Sequence, residues 1–238
     1  MGDFCRRYLK DFRMNKIALY FKKVISPPRF VYIKRFAIKS ELNVLDVGCG
    51  SNSSELSRLW LKIKQYDGID KEHWNGDSDS YTGIDNLFNI DLEFTGLLEI
   101  EDDFYDVIIL SHVIEHISNG LDIISILTKK MKPGGIIYIE TPSCRTINFP
   151  SAVGFLNFYD DKTHKKTYFD SEIIPILQMN ACIVRFFGYR RSLIRMLLIS
   201  PIAILLNLFY FIPFKKTLCS WGLWDLLGVS RVWIGQKR

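Results

Sequence analysis

Between residues 41 and 140, short β-branched and aliphatic runs alternate with polar or helix-forming stretches. That alternation constrains the chain to a parallel sheet flanked by helices. The runs read as strands are Asn43 to Val47, Tyr66 to Ile69, Leu87 to Ile90, Val107 to Leu110 and Ile136 to Glu140. Before the last of these, Leu121, Ile124, Leu127 and Met131 recur at helical spacing, and Lys132-Pro133-Gly134-Gly135 stops the helix and turns the chain into the strand. Two later runs, Cys182 to Phe187 and Arg231 to Ile234, read as the sheet's last edge. At 238 residues the chain makes one ordinary domain, or one domain with an attachment.

Two segments lie outside this pattern. Residues 1–40 mix Phe4, Tyr8, Phe12, Ile17, Tyr20 and Phe21 with eleven basic side chains, and read as a basic, amphipathic helical segment stopped at Ser26-Pro27-Pro28. Residues 192–229 form an apolar helical insert between the last two strands, which divides the core into 41–191 and 230–238. Within it, Met196 to Phe214 is a 19-residue stretch without a charge, flanked by Arg190, Arg191 and Arg195 before and Lys215 and Lys216 after. That length reaches a membrane span. Against a single crossing stand Pro201, Pro213, Asn207 and the need for Arg231 to Ile234 to return to the sheet. Two readings satisfy these constraints. Residues 192–216 dip into one leaflet with the flanking cations at the headgroups, or Leu197, Leu198, Ile202, Leu205 and Leu206 pack on the core as a lid. The basic ends of the chain tilt the expectation to peripheral membrane contact.

With 48% hydrophobic, 14% aromatic and 24% charged residues, the composition excludes disorder, collagen and repeat arrays. Five cysteines, odd in number and without Cys-x-x-Cys spacing, fit neither a disulfide framework nor a zinc knuckle. The first 25 residues break every apolar stretch with a charge, so no signal-peptide core is read. The expected setting is cytoplasmic and reducing, at the inner face of the membrane where contact is made. The net charge of +5 is unevenly placed: 11 basic and 2 acidic residues over 1–40, 11 and 23 over 41–184, and 9 and 1 over 185–238. An acidic centre suits a neutral or cationic ligand, and basic ends suit an anionic surface, membrane or nucleic acid.

The most informative residues are Val44-Leu45-Asp46-Val47-Gly48-Cys49-Gly50-Ser51-Asn52. A strand ending in a glycine-rich turn brings backbone close to a ligand at the carboxyl edge of the sheet. Compared with the dinucleotide fingerprint Gly-x-Gly-x-x-Gly, the third glycine is Ser53 and a carboxylate, Asp46, precedes the turn. That carboxylate repels pyrophosphate and attracts an ammonium or sulfonium. Asp70, twenty residues past Gly50, ends the second strand, where an acid can accept from both ribose hydroxyls, and Asp91 follows the third, where an acid can meet an exocyclic amine. Each has a plainer alternative, turn capping for Asp46 and Asp91 and a helix start for Asp70; three acids at successive strand ends favour the ligand site.

Taken together, Val44 to Gly50, Asp70, Asp91, Phe104-Tyr105-Asp106-Val107-Ile108 leading into Ser111-His112-Val113-Ile114-Glu115-His116, and Lys132-Pro133-Gly134-Gly135 resemble the class I S-adenosylmethionine-dependent methyltransferases in order and spacing. The likeness covers about residues 41–188 and 231–238. It implies a three-layer, Rossmann-like α/β fold with a seven-stranded sheet and a reversed final hairpin. It also implies S-adenosylmethionine across the strand ends: Asp46, Gly48 and Gly50 near the aminocarboxypropyl part, Asp70 on the ribose, Asp91 at the adenine, and Ser111 where donor meets acceptor. The polar stretch Asn75 to Ser80 departs from the family's usual second helix and suggests a loop wall there.

Methyl transfer from a sulfonium is an in-line displacement, in which a protein positions the partners and excludes water. A hydroxyl acceptor also needs a base. Of four histidines, His112 and His164 are the base candidates, while the resemblance gives Glu115 and His116 a bracing role. His112 to His116 also spell His-x-x-Glu-His, an inverted zinc-protease motif. It follows a strand directly and is ended within four residues by Asn119-Gly120, so no metal is expected. The leading reading is O-methylation of an amphiphilic, small-molecule, lipid-linked or glycan acceptor. A nucleic-acid methyltransferase is the alternative, weakened because no Asn-Pro-Pro-Tyr-type motif follows the fourth strand; a non-catalytic S-adenosylmethionine-binding scaffold is a third.

Overall fold

A computed structural model describes residues 27–50, 53–71, 81–94, 96–151, 157–214 and 220–238. Its elements in chain order are α1 (Pro28–Phe36), β1 (Leu42–Val47), α2 (Ser53–Trp60), β2 (Ile63–Asp70), β3 (Asn86–Asn89), β4 (Tyr105–Ser111), α3 (Gly120–Lys130), β5 (Met131–Pro142), α4 (Asp170–Met179), β6 (Cys182–Tyr189), α5 (Leu193–Leu198), α6 (Ser200–Phe214), α7 (Ser220–Leu227) and β7 (Ser230–Lys237). The seven strands form one sheet of order β3-β2-β1-β4-β5-β7-β6, parallel except where β7 pairs antiparallel with both β5 and β6. The expected reversed final pair is therefore present, and the strand order changes direction between β1 and β4, where such sheets open a crevice for ligands.

Period-two alternation feeds two cores, one on each face of the sheet. Leu45, Val47, Ile108, Leu110 and Trp233 meet Ile124 and Leu127 of α3 and Ile173 and Leu177 of α4. Val44, Tyr66, Val107, Ile109 and Tyr138 meet Phe30 and Ile33 of α1. Each such buried side chain contributes about 1.5–3 kcal/mol relative to exposure, and the result is three layers, helix, sheet and helix.

Two sequence expectations are corrected, the helix end at Met131 and the stop at Lys132 to Gly135. The helix expected before Ser26-Pro27-Pro28 lies outside the described residues; Pro28 opens α1, where its missing N–H would have had no partner and its fixed φ is already helical. The aromatic residues Phe4 to Phe21 lie outside the described residues, as do His73 and Asn75 to Ser80. Met131, expected on the helix, is the first residue of β5 and pairs with Tyr105; the next pair is Val107 with Ile136. Lys132 to Gly135 is thus a bulge within the strand. A Cβ on Gly135 would stand 2.9 Å from the carbonyl oxygens of both Lys132 and Tyr105, so Gly135→Ala is expected to destabilise the fold by about 1–3 kcal/mol in urea unfolding, as overpacking does.

The insert is helical, as expected, but its prolines do not break it. The uncharged stretch divides at Ile199, and Pro201 lies in the first turn of α6. No helix among the described residues is long and apolar enough to cross a membrane. Among the described side chains of α6, Ser200, Ala203 and Asn207 are buried, whereas Ile202, Ile204 and Leu205 face outward, 56%, 43% and 59% exposed. Leu193, Leu197 and Leu198 of α5 extend that exposed apolar surface. Of the residues expected to pack as a lid, Leu197, Leu198, Ile202 and Leu205 are exposed and Leu206 is half-buried.

Candidate active site

Where β1 ends, Gly48 and Gly50 both take positive φ, 69° and 55°. A Cβ on Gly48 would lie 2.5 Å from Val113 Cγ2, so its bare backbone lets the loop after β4 close against the turn. The described amides of the turn are spent inside the protein. Gly48 and Cys49 donate to the Ile69 carbonyl (2.7 and 3.1 Å), and Gly50 donates to Asp70 Oδ2 (2.9 Å). A pyrophosphate would need those N–H groups; here one of them already holds a carboxylate. Burial first, and then the charges of Asp46 and Asp70, push the Cys49 thiol far up. The turn therefore sits in a negative field that fits the sulfonium and ammonium of S-adenosylmethionine.

The three acids behave differently. Asp46, 3% exposed, accepts from the hydroxyls of Ser53 (2.5 Å) and Tyr66, and burial raises its carboxyl. It braces the turn from below, and Ser53, the departure from the dinucleotide fingerprint, is one of its donors. Asp70 stands half-buried at the tip of β2, in register with Asn89 of β3 and bonded to the turn. Asp91 accepts the Glu93 N–H at 2.9 Å while its carbonyl accepts from Phe94 (3.2 Å), the turn-capping geometry weighed as its plainer alternative. Ser111 ends β4 beside Glu140 of β5 in the sheet register.

Beyond Ser111, His112 adopts φ 57°, rare for a residue with a Cβ and concentrated at functional sites. Its Nδ1 lies 3.0 Å from Glu115 Oε1 and its Nε2 3.2 Å from Glu140 Oε1. With a carboxylate at each nitrogen, both carry protons. Burial would lower the ring's pKa, but the two carboxylates outweigh it and raise it to about 10. His112 is thus a held cation rather than a proton acceptor. Glu140, 2% exposed, also receives Arg190 Nη1 (2.6 Å) and the Tyr138 hydroxyl (2.6 Å); burial would raise its carboxyl, yet Arg190 and His112 hold it well below the carboxylate range. Arg190 Nε reaches Asp225 of α7 at 3.2 Å. A buried line of charge, Asp225–Arg190–Glu140–His112–Glu115, therefore joins the insert to the loop after β4. The sequence reading did not find it. Its available signals were Glu140 closing an otherwise apolar strand and Arg190 beside an uncharged stretch, where it was placed with the flanking cations; at 12% exposure it faces inward instead.

His164 is brought to a different place. Its side chain is 11% exposed, its Nδ1 bonds the Phe158 carbonyl at 2.7 Å, and its ring stands 4.7 Å from that of His116. His112, with both nitrogens engaged, cannot share a zinc ion with His116, which removes the protease-like reading of the motif.

A sheet edge that offers acids and withholds amides defines a binder of a positively charged nucleoside on an α/β scaffold. The chain belongs to the family described as a methyltransferase domain, which matches residues 27–178. The ubiquinone biosynthesis O-methyltransferase of Rickettsia bellii is 28% identical over 168 residues, spanning 65% of this chain and 69% of that relative. Among solved structures, an S-adenosylmethionine-dependent methyltransferase of Mesorhizobium loti aligns with TM-score 0.60 at 11% identity, covering 89% of this chain and 99% of that one. A second, from Archaeoglobus fulgidus, gives TM-score 0.50 at 21% identity, covering 94% of this chain and 100% of that one. Both share the fold. The protein is a methyltransferase, and S-adenosylmethionine is its cofactor.

Proposed function

We propose that the protein O-methylates an amphiphilic acceptor, a lipid-linked small molecule or glycan, while resting on the surface of an anionic bilayer at the cytoplasmic face. The observation that carries this is the inverted face of α6: small and polar residues are buried, aliphatic ones exposed. A helix packed only for a water-facing position would do the opposite. The exposed set Leu193, Leu197, Leu198, Ile202 and Leu205 lies in a segment, 191–216, that holds two arginines, two lysines and no acid, a combination suited to anionic headgroups and the acyl boundary beneath them. The O-methylation in ubiquinone biosynthesis for which the Rickettsia relative is named supports an apolar acceptor.

S-adenosylmethionine, when bound, would supply a methyl group on a sulfonium for the acceptor oxygen to take as the carbon–sulfur bond breaks, with the thioether as leaving group and the acceptor's proton passing to solvent. Asp70 and the glycine turn hold the donor, Asp91 lies toward the adenine side, and Ser111 marks the meeting edge. The chain of buried charge ending at His112 keeps the loop after β4 in place against water. His112 is a positioning residue in this reading, and His164 works with its neighbours rather than as an isolated base.

Labelled S-adenosylmethionine incubated with separated membrane and aqueous extracts should place label in the membrane fraction. The protein should float with vesicles of phosphatidylglycerol and phosphatidylcholine, and Leu197→Asp/Ile202→Asp should lose flotation while binding the cofactor unchanged. Label confined to the aqueous extract, or flotation indifferent to the substitutions, refutes the proposal.

A further inference from the structure

Glu115, His116 and His164 each place one ligand-type atom within 4.8 Å of the others'. The hydrogen bonds around them show which atom of each keeps a free lone pair. Glu115 is fully buried; Oε1 faces His112, and Oε2 is buried without any hydrogen-bond partner. His164 Nδ1 faces the Phe158 carbonyl at 2.7 Å, which only accepts, so Nδ1 carries the proton and Nε2 the lone pair. Thr163 gives its hydroxyl proton to Asp161 Oδ1 (2.6 Å) and therefore accepts from His116 Nδ1 (2.8 Å), leaving the His116 lone pair on Nε2 as well. Both rings are oriented by a partner behind them, the arrangement found at metal-ligating histidines.

The cluster thus brings together three residues that each keep an acceptor atom, with no donor to Glu115 Oε2 among the described residues. A buried carboxylate oxygen without a donor is costly, and the local backbone holds the arrangement: the Lys165 N–H donates to the Glu115 carbonyl at 2.7 Å, tying the His164 loop to the loop after β4. Asp161 Oδ2, 3.9 Å from His164 Nε2, adds negative charge behind the site. What satisfies all three is a cation. Two imidazoles and one carboxylate suit a divalent ion of borderline softness, with zinc foremost, and three protein donors leave a fourth tetrahedral position.

We propose that Glu115, His116 and His164 form a binding site for a divalent transition-metal ion of the zinc class, clamping the loop at 157–166 to the loop after β4. This differs from the His-x-x-Glu-His motif, since His164 takes the place of His112, and it revises the expectation that no metal site is present. Zinc chloride titrated calorimetrically into the chelator-dialysed full chain should bind at one equivalent. Cobalt chloride should give the intense visible absorption of a tetrahedral site. His164→Asn and His116→Asn should each weaken zinc by about 100-fold or more, since loss of even a partner behind a ligand costs about 10–100-fold. Both variants should still bind S-adenosylmethionine, which shows that they are folded and separates this outcome from failure of the methyltransferase reading. No zinc uptake by the wild type, or equal uptake by wild type and both variants, overturns the proposal.

Discussion

Asp70→Ala should weaken S-adenosylmethionine binding by about two orders of magnitude. Asp70 does two things at once in the proposed reading: its Oδ2 fixes the Gly50 amide at 2.9 Å, and its position at the tip of β2 puts a carboxylate at the carboxyl edge of the sheet, where it would accept from the ribose. Hydrogen bonds to a charged group are worth about 1.5–3 kcal/mol each, and each 1.4 kcal/mol is about tenfold in affinity. Losing the ligand's bond together with the turn's anchor therefore costs about 3 kcal/mol, or about a hundredfold. Asp70→Asn keeps an acceptor without the charge and should fall between wild type and Asp70→Ala. Calorimetric titration of the three proteins measures the series. Equal affinities across it would place the nucleoside elsewhere and would remove the ligand reading of the strand tips.

What could be read from the residues beforehand was whatever depends on local pattern. The central strands β1, β4 and β5 were visible because buried parallel strands are nearly continuous runs of apolar residues, and Val232, Trp233 and Ile234 gave the returning strand away by their buried apolar run. Gly48, Gly50 and Asp70 were visible because a turn at a strand end needs glycine and the acid follows at a fixed distance. Pairings across the chain were not. Lys132 to Gly135 looked like a stop between helix and strand, because nothing local says that Met131 will pair with Tyr105 and leave those four residues bulged. His112 looked like a base because its carboxylate partner Glu140 comes from another strand, 28 residues on. The uncharged stretch announced its hydrophobicity but not its direction. That α6 would turn Ser200, Ala203 and Asn207 inward depends on α5 and α7 packing against it.

Arg190→Met should be the most destabilising substitution outside the apolar core. Arg190 is 12% exposed and is shared by Glu140 and Asp225, whose side chains are 2% and 0% exposed. Replacing it by an apolar side chain of similar length fills the space but leaves two buried carboxylates without their common cation. Breaking a buried pair in this way costs about 3–5 kcal/mol, far more than the pair contributes relative to an apolar replacement of all its members. In a chain of this size that corresponds to a fall in Tm of roughly 6–20 °C, at about 2–4 °C per kcal/mol. The loss should be global, because the Arg190 N–H also donates to the Ser230 carbonyl at 2.9 Å where β7 enters the sheet. A lower urea midpoint with an unchanged slope is its signature. Arg191→Met, at an exposed neighbouring position, should stay within about 0.5 kcal/mol of wild type. Adding Glu140→Gln to Arg190→Met should recover part of the deficit, since it removes one of the two charges that shared Arg190, and a double-mutant cycle reads that coupling directly. If Arg190→Met and Arg191→Met prove equally mild, no line of buried charge joins the insert to His112, and the loop after β4 is held by its own short-range bonds alone.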